Sequence, residues 1–200
     1  MLAATDLACA RGGRTLFSAL SFALGPGELL RVAGANGSGK TSLLRILCGL
    51  LAPAAGTVQW QGNDITALRE EYSTRLVYVG HAPAVKDDLT AAENLAITCR
   101  LAGNPRPQVA IAEALERFRL SNSPTKKLSQ GQRRRAALAR LVLSERQPLW
   151  LLDEPFSALD PEGIAVLKAL IQEQRSRGGA VVFSTHQDAG IADARVIELG

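Results

Sequence analysis

The stretch Gly34-Ala35-Asn36-Gly37-Ser38-Gly39-Lys40-Thr41 carries a G-x-x-x-x-G-K-T pattern. An apolar run, Leu29 to Ala33, precedes it and reads as a short strand, while Lys40 to Leu50 places apolar residues at helical spacing. Glycines at such a junction let backbone N–H groups converge on phosphate oxygens, and the helix behind them turns its positive N-terminal end to the same charge. In that frame Lys40 reaches the β- and γ-phosphates of a nucleotide, and the Thr41 hydroxyl ligates Mg²⁺. The bland alternative is a flexible loop that happens to hold three glycines. The strand before it and the helix after it weigh against that.

Further along, Leu149-Trp150-Leu151-Leu152 is apolar throughout and ends abruptly in Asp153-Glu154-Pro155. A run with no polar alternation suits a parallel strand covered on both faces, and Ala180 to Ser184 repeats the pattern. Ligands of parallel α/β sheets collect at the carboxyl ends of the strands, so Asp153 and Glu154 are expected near the glycine-rich loop. Asp153 suits the Mg²⁺ shell and Glu154 suits polarising an attacking water. Taken alone, the pair could be ordinary strand-end charges; beside a phosphate loop it reads as chemistry.

The remaining elements follow from punctuation. Leu2 to Leu30 reads as two or three strands joined by turns at Gly12-Gly13 and Gly25-Pro26-Gly27, a small antiparallel layer ahead of the parallel core. Arg75 to Val79 is a further strand. Thr90 and Glu93 make a capping box that opens a helix to about Leu101, stopped by Gly103-Asn104-Pro105-Arg106-Pro107. A second helix spans about Gln108 to Arg119. Ser129 and Gln132 make another capping box, opening an arginine-rich helix to about Leu143. Asp160-Pro161 starts a long helix that Gly178-Gly179 ends. Three helices without an intervening strand predict an inserted helical lobe, about 84–144, within a core of about 1–83 and 145–200 that together make one domain.

Composition excludes a disordered chain. The 200 residues are 46% hydrophobic, enough for one well-cored domain. No apolar stretch approaches the roughly 18–20 residues of a membrane span, and the N-terminus lacks a basic region followed by a long apolar one, so a soluble chain that stays in the cytoplasm is expected. Cys9, Cys48 and Cys99 lack paired spacing and read as reduced, mostly buried side chains. The net charge of +4 draws on Arg133, Arg134, Arg135, Arg140 and Arg146, clustered about one helix. With 4% aromatic content and no interleaved stacking residues, that cluster predicts a solvated or partner-facing surface rather than a nucleic-acid site.

Leu128-Ser129-Gln130-Gly131-Gln132 resembles the signature segment of ABC-type ATP-binding subunits. Ser157-Ala158-Leu159-Asp160 resembles the family's D-loop, and His186 in Ser184-Thr185-His186 resembles its switch histidine, all in the family's order over essentially the whole chain. The resemblance implies an α/β P-loop NTPase (RecA-like) core with an N-terminal antiparallel β layer and an inserted helical subdomain. It also implies ATP hydrolysis with Mg²⁺, with Glu154 as catalytic carboxylate and His186 and Lys40 on the γ-phosphate. Two cassettes would pack head to tail, as a homodimer, so that Ser129, Gln130, Gly131 and Gln132 of one meet the nucleotide of the other.

Three positions depart from the family pattern. His81, after Gly80, stands where a glutamine is usual; it would coordinate water or sense Mg²⁺ with a charge that varies near neutral pH. Gln130 replaces the first signature glycine. Arg11 stands near the place of the adenine-stacking aromatic, where a guanidinium can also stack. These features, with Thr15 to Phe22 and Gln132 to Leu141, are similar to the haem-exporter ATP-binding subunits of cytochrome c biogenesis. That resemblance implies a peripheral subunit on the cytoplasmic face of the bacterial inner membrane, working with a polytopic membrane subunit. The sequence offers no C-x-x-C-H and no haem ligand. The competing class, a soluble mechanical ATPase acting on ribosomes or nucleic acid, would ordinarily carry two nucleotide domains or long insertions, and this chain has neither.

Overall fold

The computed structural model describes residues 1–186, 190–191 and 193–200. Leu2–Arg11 (β1) and Arg14–Leu24 (β2) form an antiparallel hairpin. It turns on Gly12 and Gly13, both at positive φ (57° and 75°), a region that glycine enters without a Cβ clash. Leu29–Gly34 (β3) then leads through the glycine-rich loop into Lys40–Leu47 (α1). That helix is shorter than the predicted Lys40 to Leu50. Cys48 caps it, Gly49 turns away at φ 75°, and Leu50 is 68% exposed.

Ala55–Trp60 (β4) and Asn63–Asp64 (β5) return to the hairpin, giving an antiparallel sheet of order β2-β1-β4-β5. Half of that layer comes from residues 55–64, a contribution the sequence reading did not anticipate, because the strands of the layer are separated by β3 and α1. Ile65–Leu68 (α2) and Glu70–Thr74 (α3) are single turns before Leu76–Val79 (β6).

Two compact units emerge from the chain. The first comprises Met1–His81, Gln147–Pro155 and Gln174–Gly200, and the second Ala82–Arg146 and Phe156–Glu173. The second is helical, built of Ala91–Leu101 (α4), Gln108–Arg117 (α5), Gln130–Leu138 (α6) and most of Pro161–Ser176 (α7). Both predicted capping boxes form, Thr90 with Glu93 on α4 and Ser129 with Gln132 on α6. After Leu138 the arginine-rich helix tightens into a 3₁₀ segment, Ala139–Leu143.

In the first unit, Leu149–Leu152 (β7), Ala180–Ser184 (β8) and Arg195–Leu199 (β9) complete a parallel sheet of order β6-β7-β8-β3-β9. Every residue of β7 and β8 is buried, as their unbroken apolar runs require. The core gathers around α1. Its Leu43, Leu44, Ile46 and Leu47 are buried with Leu2, Leu7 and Leu24 of the hairpin and with Leu30, Val32, Leu151 and Val182 of the parallel sheet. Each such side chain contributes roughly 1.5–3 kcal/mol relative to exposure. The sheet order sets β8 between β3 and β7, with Val32 opposite Ser184 and Leu152 opposite Phe183.

One expectation needs correction. The arginines about α6 are not a solvated face: Arg134 is 3% exposed, Arg133 pairs with Asp87 at 2.6 Å, and Arg135 pairs with Asp160. Burial also pushes the Arg140 guanidinium below its ordinary value. Long aliphatic stems let such side chains cover apolar surface while their heads find carboxylates, and those carboxylates lie far away in sequence. Of the cluster, Arg146 is exposed. The three cysteines are free, with Cys9 and Cys99 buried. Burial pushes the Cys48 thiol up to about 11, which keeps it protonated and unreactive. No helix among the described residues is long and apolar enough to cross a membrane.

Candidate functional site

The glycine-rich loop closes on itself. Gly34 lies at φ 138°, and a Cβ there would fall 2.2 Å from Leu199 O and 2.6 Å from Ser38 Oγ. Gly39 lies at φ 104°, with Leu16 and Phe17 only 3.1 Å from where its Cβ would be. Gly34 has no room for a side chain, and at Gly39 a Cβ would be crowded as well as strained by its positive φ, so the pattern suits packing as well as access of an anion to the backbone. Gly39 is also the N-cap of α1, without a side-chain cap and without an acidic residue in the first turn. Among the described residues no side chain caps the first turn and no acidic residue within it offsets the positive end, the two properties that receive an anion. Ser38 Oγ adds a buried hydroxyl that has no hydrogen-bond partner among the described residues.

Lys40 is nearly buried and folds back on the loop, its Nζ donating to Gly34 O at 2.7 Å and Ala35 O at 3.0 Å. The same Nζ lies 3.8 Å from Glu154 Oε1. Thr41, one residue on, donates from Oγ1 to Asp153 Oδ2 at 2.8 Å. Asp153 has no exposed surface, and its other oxygen accepts from Ser184 Oγ at 2.7 Å. Ser184 Oγ in turn accepts from the Glu154 N–H at 2.9 Å. This chain of contacts follows from the strand order: Ser184 ends β8, which lies between the strand that delivers the loop and the strand that delivers both carboxylates.

Glu154 takes φ 47°, an uncommon region for a residue with a Cβ, and its Oε2 stands 3.0 Å from His186 Nδ1. Lys40, Thr41, Glu154 and His186 share a cavity of about 520 Å³ with Asn36, Gly37 and Gly39. Arg11, Leu16, Ser42 and His81 complete its wall. Arg11 closes β1, and His81 follows β6, both exposed. The sequence reading therefore named most of the wall, and it missed Ser184, Leu16 and Ser42. Ser184 left only a weak trace, a single hydroxyl at the end of an otherwise apolar strand.

Hard oxygen donors, the Thr41 hydroxyl and the Asp153 carboxylate, stand together beside the loop. Among the described residues no cluster of three or more His, Cys, Asp or Glu could hold a metal. One carboxylate with one hydroxyl fits Mg²⁺, which keeps several waters and takes phosphate oxygens as further ligands. In the second unit Ser129 caps α6: its Oγ accepts from the Gln132 N–H at 3.2 Å, while Gln132 Oε1 accepts from the Ser129 N–H at 2.9 Å. Gln130 is the exposed first residue of α6, and Gly131 follows it.

Residues 17–157 match the model of the ABC transporter family. The chain belongs to that family. It is an ATP-hydrolysing cassette, in keeping with its curated relatives. One, the cytochrome c biogenesis ATP-binding export protein CcmA of Aromatoleum aromaticum, is 50% identical over 96% of this chain and 91% of its own length. The protein of the same name from Nitrosomonas europaea is 47% identical over 100% of the chain and 94% of its own length. Among solved structures, a dimeric bacterial ABC transporter cassette superposes with a TM-score of 0.82 at 25% identity, covering 100% of this chain and 94% of that one. That superposition shows that the α/β P-loop fold with an antiparallel layer and a helical lobe is the ABC cassette fold.

Proposed function

We propose that this cassette is the energy-coupling subunit of an ABC exporter in cytochrome c biogenesis, a peripheral protein that docks on a polytopic membrane subunit at the cytoplasmic face of the bacterial inner membrane. The system's name comes from relatives that are about half identical over nearly their whole length. Haem, or a component that handles it, is the cargo this reading implies. Specificity for it would lie in the membrane partners. The ion-paired arginines of α6 support a role without nucleic acid.

The observation that carries the catalytic reading is the convergence of Lys40, Thr41, Glu154 and His186 on one cavity with Asp153 beneath it. In this reading Gly34, Ala35, Asn36, Gly37, Ser38 and Gly39 cradle the phosphates. Lys40 exchanges the carbonyls of Gly34 and Ala35 for phosphate oxygens, and Arg11 stacks on the base. Thr41 and Asp153 would hold Mg²⁺, with His81 on the same cavity wall as a further candidate to sense it, and the ion would supply neutralisation of charge on the β- and γ-phosphate oxygens. Glu154 orients the attacking water and accepts its proton on a carboxylate oxygen. His186, already within hydrogen-bond distance of Glu154, keeps that carboxylate aimed and donates toward the γ-phosphate.

The signature residues Ser129, Gln130, Gly131 and Gln132 lie outside this cavity's wall, and the chain has one loop and one signature. A pair of cassettes, each completing the other's site, is the reading that uses both, and the neighbouring dimeric cassette supports it. Replacing Glu154 with Gln tests the core assignment. Phosphate release should fall roughly 10²- to 10⁴-fold, the usual cost of losing a positioned base, while binding of a fluorescent ATP analogue persists. Full hydrolysis by the Glu154→Gln protein would remove Glu154 from its role.

A further inference from the structure

The hairpin end of the cavity differs from the rest of its wall. Lys40 and Thr41 belong to α1, and Glu154 and His186 follow strands of the parallel sheet, whereas Arg11 and Leu16 come from β1 and β2. Leu16 reaches the cavity through a slip in register. Cys9 faces Phe17 and Ala10 faces Thr15, so Leu16 is an extra residue on β2 with no partner on β1. Such a bulge re-aims a side chain, and Leu16 Cβ lies 3.1 Å from where a Cβ on Gly39 would be. Past the bulge the strands pair again, and the last pair before the Gly12-Gly13 turn sets Arg11 directly opposite Arg14. Residues directly opposite share one face of the sheet, and like charges there destabilise it. Both arginines are exposed, and neither meets a carboxylate among the described residues.

We infer that Arg11, Arg14 and Leu16 make this cassette accept guanosine triphosphate as readily as ATP, with Arg14 the residue that sets the balance. The inference rests on the reading of this cavity as the nucleotide site. Two guanidiniums held opposite one another bring donors and no acceptor, so the partner that relieves their repulsion is rich in acceptors. Among the described residues no phenylalanine, tyrosine or tryptophan lines the cavity. With the phosphates in the loop, the base packs on Leu16 and on the plane of the Arg11 guanidinium, contacts that every base face offers alike. Arg14, on the same face of the hairpin, is left to meet the edge of the base. Guanine presents two adjacent acceptors there, O6 and N7, which match the fork of a guanidinium. Adenine presents N7 beside an amino group, which sets a donor against a donor. Leu16 and Arg11 therefore hold the base without choosing it, and Arg14 favours the edge that only accepts.

Phosphate release by the intact cassette, measured with ATP and with GTP in the presence of Mg²⁺, gives kcat/KM for each nucleotide. The GTP value should lie between about 2-fold below and ~10-fold above that for ATP, the lower range for one bidentate contact at an exposed edge. Arg14→Ala should lower the GTP-to-ATP ratio by at least ~3-fold, and Arg14→Lys, which keeps the charge and loses the fork, should do the same. Arg11→Ala should instead lower kcat/KM for both nucleotides together. Displacement of a fluorescent ATP analogue by GDP and by ADP repeats the comparison without turnover, so a variant impaired in hydrolysis still reports its base preference. GTP used more than about 2-fold less well than ATP overturns the inference while leaving ATP hydrolysis intact. A ratio that Arg14→Ala leaves unchanged overturns it as well, because the hairpin would then not read the base. If neither nucleotide is bound or hydrolysed, the reading of the cavity falls and the inference with it.

Discussion

At the residue scale, the buried Asp153 carries the site. Each of its oxygens accepts from a hydroxyl, one on Thr41 and one on Ser184. A carboxylate with no exposed surface needs such donors, because a buried charge stripped of its hydrogen bonds is expensive. Ser184→Ala removes a donor from Asp153 and the acceptor of the Glu154 N–H together. A lost buried hydrogen bond costs about 1–3 kcal/mol, which for a chain of this size should lower the melting temperature by roughly 3–10 °C. ATP hydrolysis should fall as well, since Glu154 loses its backbone anchor. Thermal-shift and phosphate-release assays on the same preparation check both, and an unchanged melting temperature would mean that Asp153 is held without Ser184. Asp153 and Glu154 were legible as carboxylates ending an apolar strand. Ser184 was not, because its importance comes from lying between two strands that flank it only in the folded sheet.

At the element scale, helix starts were read well because a capping box is a local device. Thr90 and Glu93 lie three residues apart, and the bonds they exchange need nothing beyond one helical turn. The Thr90 backbone N–H, and after it the Thr90 hydroxyl, hold the Glu93 carboxyl below its ordinary value of 4.5. A carboxylate whose folded value is depressed binds fewer protons folded than unfolded. Its contribution to stability is therefore complete above pH 4.5 and lost as pH falls through the lower, folded value. Glu93→Gln keeps an oxygen for the N-cap but cannot titrate. Protection of the first turn of α4 against hydrogen exchange, taken relative to the intrinsic rate at each pH from 6 downward, should fall more steeply below about pH 4.5 in the parent chain than in the variant. Equal profiles would deny Glu93 that share. Helix ends were read less well: α1 stops at Leu47 and α6 gives way to a 3₁₀ turn after Leu138, because ends are decided by what the last turn packs against.

At the scale of the whole molecule, one chain holds one phosphate loop and one signature, and under the proposed function a pair of chains brings each to the other. Hydrolysis per chain should accordingly rise with protein concentration and level off once the pair is saturated, the mass-action signature of an active dimer. A rate per chain that is flat from nanomolar to micromolar protein would assign the activity to the single cassette. The two-sheet architecture was half visible in the sequence. The parallel strands announce themselves as unbroken apolar runs, whereas β4 and β5 are short, partly exposed and remote from the hairpin they complete. The arginines of α6 show the same limit. Their number is plain in the sequence, but whether they face solvent depended on Asp87 and Asp160.

Chemistry that depends on neighbours along the chain was determined by the sequence itself: the phosphate loop between strand and helix, the carboxylates at a strand end, the two capping boxes, and the family to which these motifs in order belong. Only the tertiary structure decided what depends on neighbours in space. It placed Asp153 between Thr41 and Ser184, left the glycine-rich loop no room for a Cβ at Gly34, and turned Glu154 toward His186. The physical reason is range. Backbone preference and helix capping act over one turn of chain, while burial, ion pairing and the absence of space for a Cβ are properties of surfaces that meet only once the sheets and helices have packed.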